Sequence, residues 1–182
     1  MSNLDQLISL QRPLPGVRAN FVVDASGSFT DSTGGSRALS NENDRQVLIT
    51  LRKLSDVVIT DASTARANHY KQSKWVPILV WSKSGDFSGV DEHLSQLAGE
   101  EGFADLDLRI ATDQKILLET SPSLTRLLAG HIDELKLTVT GCRTEGQADS
   151  VAKSIRSSLQ LDNLSGAEVY PLEGSFFFTF NR

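Results

Sequence analysis

Two short runs in this chain set hydroxyl and carboxylate groups directly after apolar segments. One is Thr60-Asp61-Ala62-Ser63-Thr64, which follows Val57-Val58-Ile59; the other is Thr120-Ser121-Pro122-Ser123, which follows Ile116–Glu119. A helix that starts immediately after a strand offers unpaired backbone N–H groups and a positive dipole end, a natural place for a phosphate. In open parallel sheets, ligands also gather outside the carboxyl ends of strands. The plainer alternative is that Ser121 caps a helix and Asp61 shapes a turn. Other chemistries find little support. The chain contains no GxGxxG and no GxxxxGK[ST] run. His69, His93 and His131 are far apart in sequence, and no Cys–His group has metal-ligand spacing. Cys142 has Arg143 beside it but no identified base, and so reads as inert. Asp133-Glu134, placed before a strand, would point its side chains in opposite directions; it makes a poor acid/base dyad and reads as solvent contact at a turn.

The elements around these turns follow from hydrophobic pattern. Residues 1–16 read as an N-terminal arm ending in Arg12-Pro13-Leu14-Pro15-Gly16, whose prolines block regular structure. Val17, Ala19, Phe21 and Val23 predict a strand, and 25–37 a polar, glycine-rich loop. Ser40 or Asn41 caps a helix running to about Leu54, with Val47, Leu48, Leu51 and Leu54 on one face. Short strands are expected at 57–59, 77–81 and 116–118, and one or two helical turns at 64–70. A short helix is expected at 91–98 and a strand through Leu106, Leu108 and Ile110. Ser121-Pro122 opens a helix that Gly130 closes. Leu135, Leu137 and Val139 mark a strand, and Val151, Ile155 and Leu159 a helix over 147–159. The end, 168–180, reads as two strands turning at Glu173-Gly174, with Phe176, Phe178 and Phe180 on one side. Strand–helix alternation calls for a mainly parallel sheet covered on both faces, closed by an antiparallel hairpin.

A length of 182 residues suits one domain, 1–182, with a single core. The net charge of −5 argues against a nucleic-acid backbone as the main partner. One cysteine excludes an intramolecular disulfide and fits a cytoplasmic location. Met1 to Gln11 carries Asp5 and no long apolar run, so no signal peptide is expected there. No stretch approaches the roughly 20 apolar residues of a membrane span.

Taken in order, several of these runs resemble a known family. They are Arg12-Pro13 with 17–27, Gly35-Ser36-Arg37-Ala38-Leu39-Ser40, Asp44-Arg45, Leu51-Arg52, Asp56-Val57-Val58-Ile59 and Thr64-Ala65-Arg66-Ala67. Further on come Leu117-Leu118-Glu119, Pro122, Leu127-Leu128, Asp133-Glu134-Leu135 and Phe176-Phe177-Phe178 with Arg182. Together they resemble the pyrimidine reductase domain of riboflavin biosynthesis enzymes, a dihydrofolate-reductase-like family. The resemblance implies an α/β fold with a mainly parallel eight-stranded sheet flanked by helices. It also implies an NADPH-dependent oxidoreductase, similar to 5-amino-6-(5-phosphoribosylamino)uracil reductase, acting as a homodimer on a small phosphorylated pyrimidine. Carried over residue by residue, it gives Asn20, Ser36, Leu39, Arg52 and Asn68 to the substrate. Asn20 stands where the family often has a lysine, and Asn68 where it has an acid near the reacting sugar. Arg52 would hold the phosphate with its planar fork of donors, unless it simply reaches to solvent. Asp61, Ser63, Thr64, Thr120, Ser121 and Pro122 fall at the NADPH turns. The family's Gly-x-Gly-Thr turn is here Asp61-Ala62-Ser63-Thr64, and its Glu-Gly-Gly-Pro turn is Glu119-Thr120-Ser121-Pro122. Four glycines are thus replaced by residues with a Cβ, and Asp61 adds a negative charge. The replacements set a rival expectation beside the reductase: a paralogue of the same fold that has lost NADPH and acts as a binding or interaction protein.

Overall fold

The computed structural model describes residues 2–110 and 114–182. Eight strands form one sheet: β1 (Gly16–Val23), β2 (Val57–Asp61), β3 (Ile78–Ser82), β4 (Ser95–Ala98), β5 (Lys115–Leu118), β6 (Ile132–Thr140), β7 (Ser165–Leu172) and β8 (Ser175–Asn181). Their order across the sheet is β4-β3-β2-β5-β1-β6-β8-β7. The first six run parallel, while β8 is antiparallel to both β6 and β7. After β2 the chain moves outward through β3 and β4. It then returns to lay β5 in the gap between β2 and β1. That reversal of strand order opens a crevice at the carboxyl ends of β2, β5 and β1.

Alternate residues of each strand feed opposite cores. Ile116 and Leu118 of β5 join one apolar cluster, and Leu117 joins the other. Helices α4 (Gly99–Ile110), α5 (Pro122–Leu127) and α6 (Glu145–Ser158) cover the first face through Leu106, Ile110, Leu124, Ala148, Ala152 and Ile155. On the second face lie α1 (Asn3–Ser9), α2 (Glu42–Lys53) and α3 (Ala62–Ala67), which contribute Leu7, Val47, Leu51, Ala62 and Ala65. The phenylalanines of β8 divide in the same way. Phe176, Phe178 and Phe180 meet the first cluster and Phe177 the second. Both faces of this strand are therefore covered by its own chain.

Local chemistry explains the helix ends. Asn41, rather than Ser40, caps α2 by accepting the Asp44 amide at 2.9 Å. Ser121 caps α5 with Pro122 in its first turn, as the sequence predicts. Five expectations are corrected. The arm 1–16 contains a helix, α1, held by a reciprocal capping box between Ser2 and Asp5. The stretch 91–98 ends in an edge strand, β4, instead of forming a helix. Leu106 and Ile110 belong to α4, not to a strand; they lie four residues apart on its buried face, while Leu108 between them is 70% exposed. Gly130 does not close α5, which ends at Leu127 with Leu128 as its cap; it sits inside a 3-10 turn, Ala129–His131. Asp133 and Glu134 also lie within β6 rather than before it. Glu134 is buried against Arg18, so solvent contact does not describe it.

Candidate functional site

A cleft of about 520 Å³ opens at the strand reversal. Asn20, Phe21 and Val22 of β1 form its floor, and the 25–37 loop supplies Phe29, Thr30, Gly34, Ser36 and Arg37. Helix α2, with Ser40 before it, contributes Asp44, Arg45, Leu48 and Arg52. The turns after β2 and β5 bring Ser63, Thr64, Glu119, Thr120, Ser121 and Pro122, and Ala67, Asn68 and Tyr70 close the far wall. Nine of the eleven residues singled out from the sequence therefore share one cleft. Leu39 lies outside it, half-buried, and Asp61 is buried behind the wall.

Asp61 is the N-cap of α3, and its carboxylate is saturated. It accepts the Thr64 amide at 2.9 Å, the Thr64 hydroxyl at 3.0 Å, the Ser63 hydroxyl, and the Ser121 amide of the neighbouring turn at 2.5 Å. Burial works against its charge. The bonds from Ser63 and from the Ser121 and Thr64 amides outweigh burial and hold the carboxyl below its ordinary range. One carboxylate thereby joins both turns that were candidates for phosphate.

Arg52 neither points to bulk solvent nor stands alone. Its Nε and Nη2 donate to Glu119 at 2.7 and 2.5 Å, and its guanidinium carbon lies 5.2 Å from the centre of the Tyr70 ring. The Tyr70 hydroxyl donates to the same Glu119 at 2.5 Å. Burial opposes the Arg52 charge, but Glu119 more than compensates and raises its pKa. Burial and the Glu119 charge raise that of Tyr70. Glu119 grips one edge of the guanidinium and leaves Nη1 clear of that pair, on a side chain that lines the cleft. Arg37 and Arg45 also line the cleft. Arg37 has no acidic partner among the described residues, and Arg45 pairs with the exposed Glu42 at 3.5 Å while its charge also acts on Asp44.

Ser36 and Asn68 meet each other. The Ser36 amide and hydroxyl both donate to Asn68 Oδ1, at 3.0 and 3.2 Å, and Asn68 Nδ2 donates to the Thr64 carbonyl. Gly35 makes this approach possible, because a Cβ there would stand 3.1 Å from the Ala67 carbonyl. Thr120 is buried, its hydroxyl 2.8 Å from that of Thr125.

Sequence reasoning missed Asp44, Tyr70 and the role of Glu119. Asp44 is 4% exposed, accepts the Ser40 hydroxyl at 2.5 Å and also faces Thr138; burial pushes its carboxyl above the usual range. The available signal was its place three residues after the capping Asn41, where an acid ordinarily serves the helix end. Which way its side chain turns depends on the sheet beneath.

Sheet order, hairpin and cleft together define a dihydrofolate-reductase-like fold. Solved structures of the pyrimidine-reductase type share it. A pyrimidine reductase-like protein of Corynebacterium diphtheriae matches 100% of this chain and 98% of its own with a TM-score of 0.67 at 18% identity. The riboflavin biosynthesis reductase of Saccharomyces cerevisiae matches 99% of each chain with a TM-score of 0.63 at 8% identity. A dihydrofolate reductase of Enterococcus faecalis, solved with NADP(H), matches 92% of this chain and 96% of its own with a TM-score of 0.59 at 9% identity. At these identities the likeness is one of fold. By sequence, no protein-family model and no curated protein matches the chain. Among the described residues, no cluster has the makings of a metal site and no helix is long and apolar enough to cross a membrane.

Proposed function

We propose that this chain is a small-molecule-binding protein on a reductase fold. Its cleft takes a phosphorylated pyrimidine-type ligand and does not hold NADPH. The observation that carries this reading is the Asp61 carboxylate, which already accepts the Thr64 and Ser121 amides. The residues of these two turns do not fit a dinucleotide phosphate. The amides that would meet it are spent on an internal anion, and a second anion beside that charge in a partly desolvated place costs on the order of a few kcal/mol.

The rest of the cleft suits one polar, planar ligand. Phe21 and Phe29, edge to face at 5.3 Å, offer apolar surface. Asp44, buried, and Asn20, half-buried, offer hydrogen-bonding groups, and Arg37, Arg45 and Arg52 offer cations for a phosphate. A volume of about 520 Å³ is that of an ordinary small-ligand pocket.

A second reading, the NADPH-dependent 5-amino-6-(5-phosphoribosylamino)uracil reductase, is favoured by Ser63, Thr64 and Ser121 lining the cleft, whose hydroxyls can donate to phosphate once Ser63 and Thr64 turn away from Asp61. Calorimetric titrations with uridine 5′-monophosphate and with NADPH separate the two. Saturable binding of the first alone supports the first reading. Tight NADPH binding, with NADPH oxidised in the presence of the phosphoribosylamino-uracil, supports the second. The cytoplasmic location and the homodimer belong to this proposal and rest on the lone cysteine and the resemblance.

A further inference from the structure

On the other side of Asn20 from the cleft lies a second, much smaller cavity of about 50 Å³, which opens to solvent beside the exposed Leu10 and Glu168. Asn20 lines both spaces and forms part of the wall between them. The polar groups on the far side include Gln11, Lys136, Glu168 and Thr179. Gln11 is 8% exposed and donates its Nε2 to the Leu7 carbonyl at 2.9 Å, yet its Oε1 is buried with no hydrogen-bond partner. Lys136 is the register partner of Asn20 on the neighbouring parallel strand. Its ammonium is buried, donates to the Thr179 hydroxyl at 2.9 Å and lies 3.7 Å from Glu134. Three N–H bonds leave this group with donor capacity to spare.

We infer that this cavity is a water site through which Lys136 fixes the orientation of the Asn20 amide toward the cleft. About 10–15 Å³ admits one water, so the space holds at least one with room for a second. A water there accepts from Lys136 Nζ and donates to Gln11 Oε1, satisfying the orphan acceptor. Its second hydrogen goes to Asn20 Oδ1. The Asn20 NH2 group is then left facing the cleft as a donor. A carboxamide has no intrinsic preference between its two ends, so its neighbours decide which one a ligand meets. The group presented selects a ligand edge bearing an acceptor, such as a ring carbonyl. Lys136 and Gln11 act here as positioning residues. The cleft-ligand consequence rests on the function proposed above, whereas the water site does not.

The test is made on the ligand-free protein. The Asn20 side-chain NH2 signals are assigned by NMR and followed with pH through the Lys136 titration. Burial lowers the Lys136 pKa against the opposing effect of Glu134; Arg18 and Glu168 are the other charges facing it. The inference predicts a water cross-peak to the Asn20 amide and a shift that tracks Lys136. Lys136→Met removes the pH dependence, and Gln11→Leu removes the cross-peak while leaving every charge in place. Gln11→Leu also covers the case in which the lysine variant fails to fold. Asn20 signals that ignore pH, or that are unchanged in folded Gln11→Leu protein, overturn the inference whatever the cleft binds.

Discussion

Replacing Asp61 by alanine removes the side chain whose hydrogen bonds tie the turn after β2 to the turn after β5. The N-cap of α3 is lost, at about 1 kcal/mol. The Ser121 N–H, half-buried and left without its acceptor, adds up to about 1–3 kcal/mol. The expected total is about 2–4 kcal/mol, which for a chain of this length lowers Tm by roughly 4–16 °C. Asp61→Asn separates the two contributions. Asparagine caps as well as aspartate, but its NH2 turned toward the Ser121 N–H sets donor against donor, so only the second loss persists. The pH dependence has a definite sign. The Asp61 carboxyl lies below its ordinary value in the fold. Its contribution is therefore complete above the unfolded value of about 3.9 and disappears as pH falls through the folded value. The gap between wild type and Asp61→Asn should be constant from pH 5 to 8 and close below about pH 4. Urea unfolding followed by tryptophan fluorescence reads this directly, because Trp81 is buried against Phe103 in the first core. An Asp61→Ala protein within about 0.5 kcal/mol of wild type at pH 7 would refute the argument that this carboxylate binds both turns.

Three other substitutions and measurements follow from the same structure. Arg52→Ala strands Glu119 in a buried place and should cost about 3–5 kcal/mol, while Arg52→Met combined with Glu119→Leu should recover most of it; an additive double variant in urea unfolding would contradict the pairing. Asp44 has a raised pKa in the fold, so the native state holds its proton more tightly and wild-type stability falls as pH rises from about 4. Asp44→Asn should be at least as stable as wild type at pH 7 and lose that advantage at pH 4, and the opposite ranking in thermal melts would show the carboxylate to be well satisfied. The homodimer is expected from the resemblance, since β8 already finds cover on both faces within its own chain. Light scattering at micromolar concentration should give twice 19.8 kDa, and a mass of 19.8 kDa would remove the dimer.

Strands buried on both faces were legible because they leave continuous apolar runs: Val57–Ile59, Ile78–Trp81 and Ile116–Leu118 admit little else. β4 was not, because Ser95-Gln96-Leu97-Ala98 lies at the sheet edge and is mostly exposed, so nothing in its pattern reports the pairing. Leu106, Leu108 and Ile110 fit a strand by alternation and a helix by the four-residue interval; three residues do not distinguish the periods. The two polar turns stood out because they directly follow such strands. What they do was hidden, since Asp61 and Ser121 are 60 residues apart and their bond exists only once β5 returns beside β2. The Ser36–Asn68 and Arg52–Glu119 pairs were hidden for the same reason: each residue was visible singly, and its partner was not.

The central claim is that the protein's own carboxylate already engages the turn amides that a cofactor phosphate would need. Titration of wild-type protein with NADPH, followed by nicotinamide fluorescence, tests it most directly. The account predicts a Kd weaker than about 100 μM, near −5.5 kcal/mol of binding free energy, and tighter binding by Asp61→Gly than by Thr120→Gly or Ser121→Gly. A wild-type Kd in the low micromolar range would contradict the claim and leave the NADPH-dependent reductase as the reading to pursue.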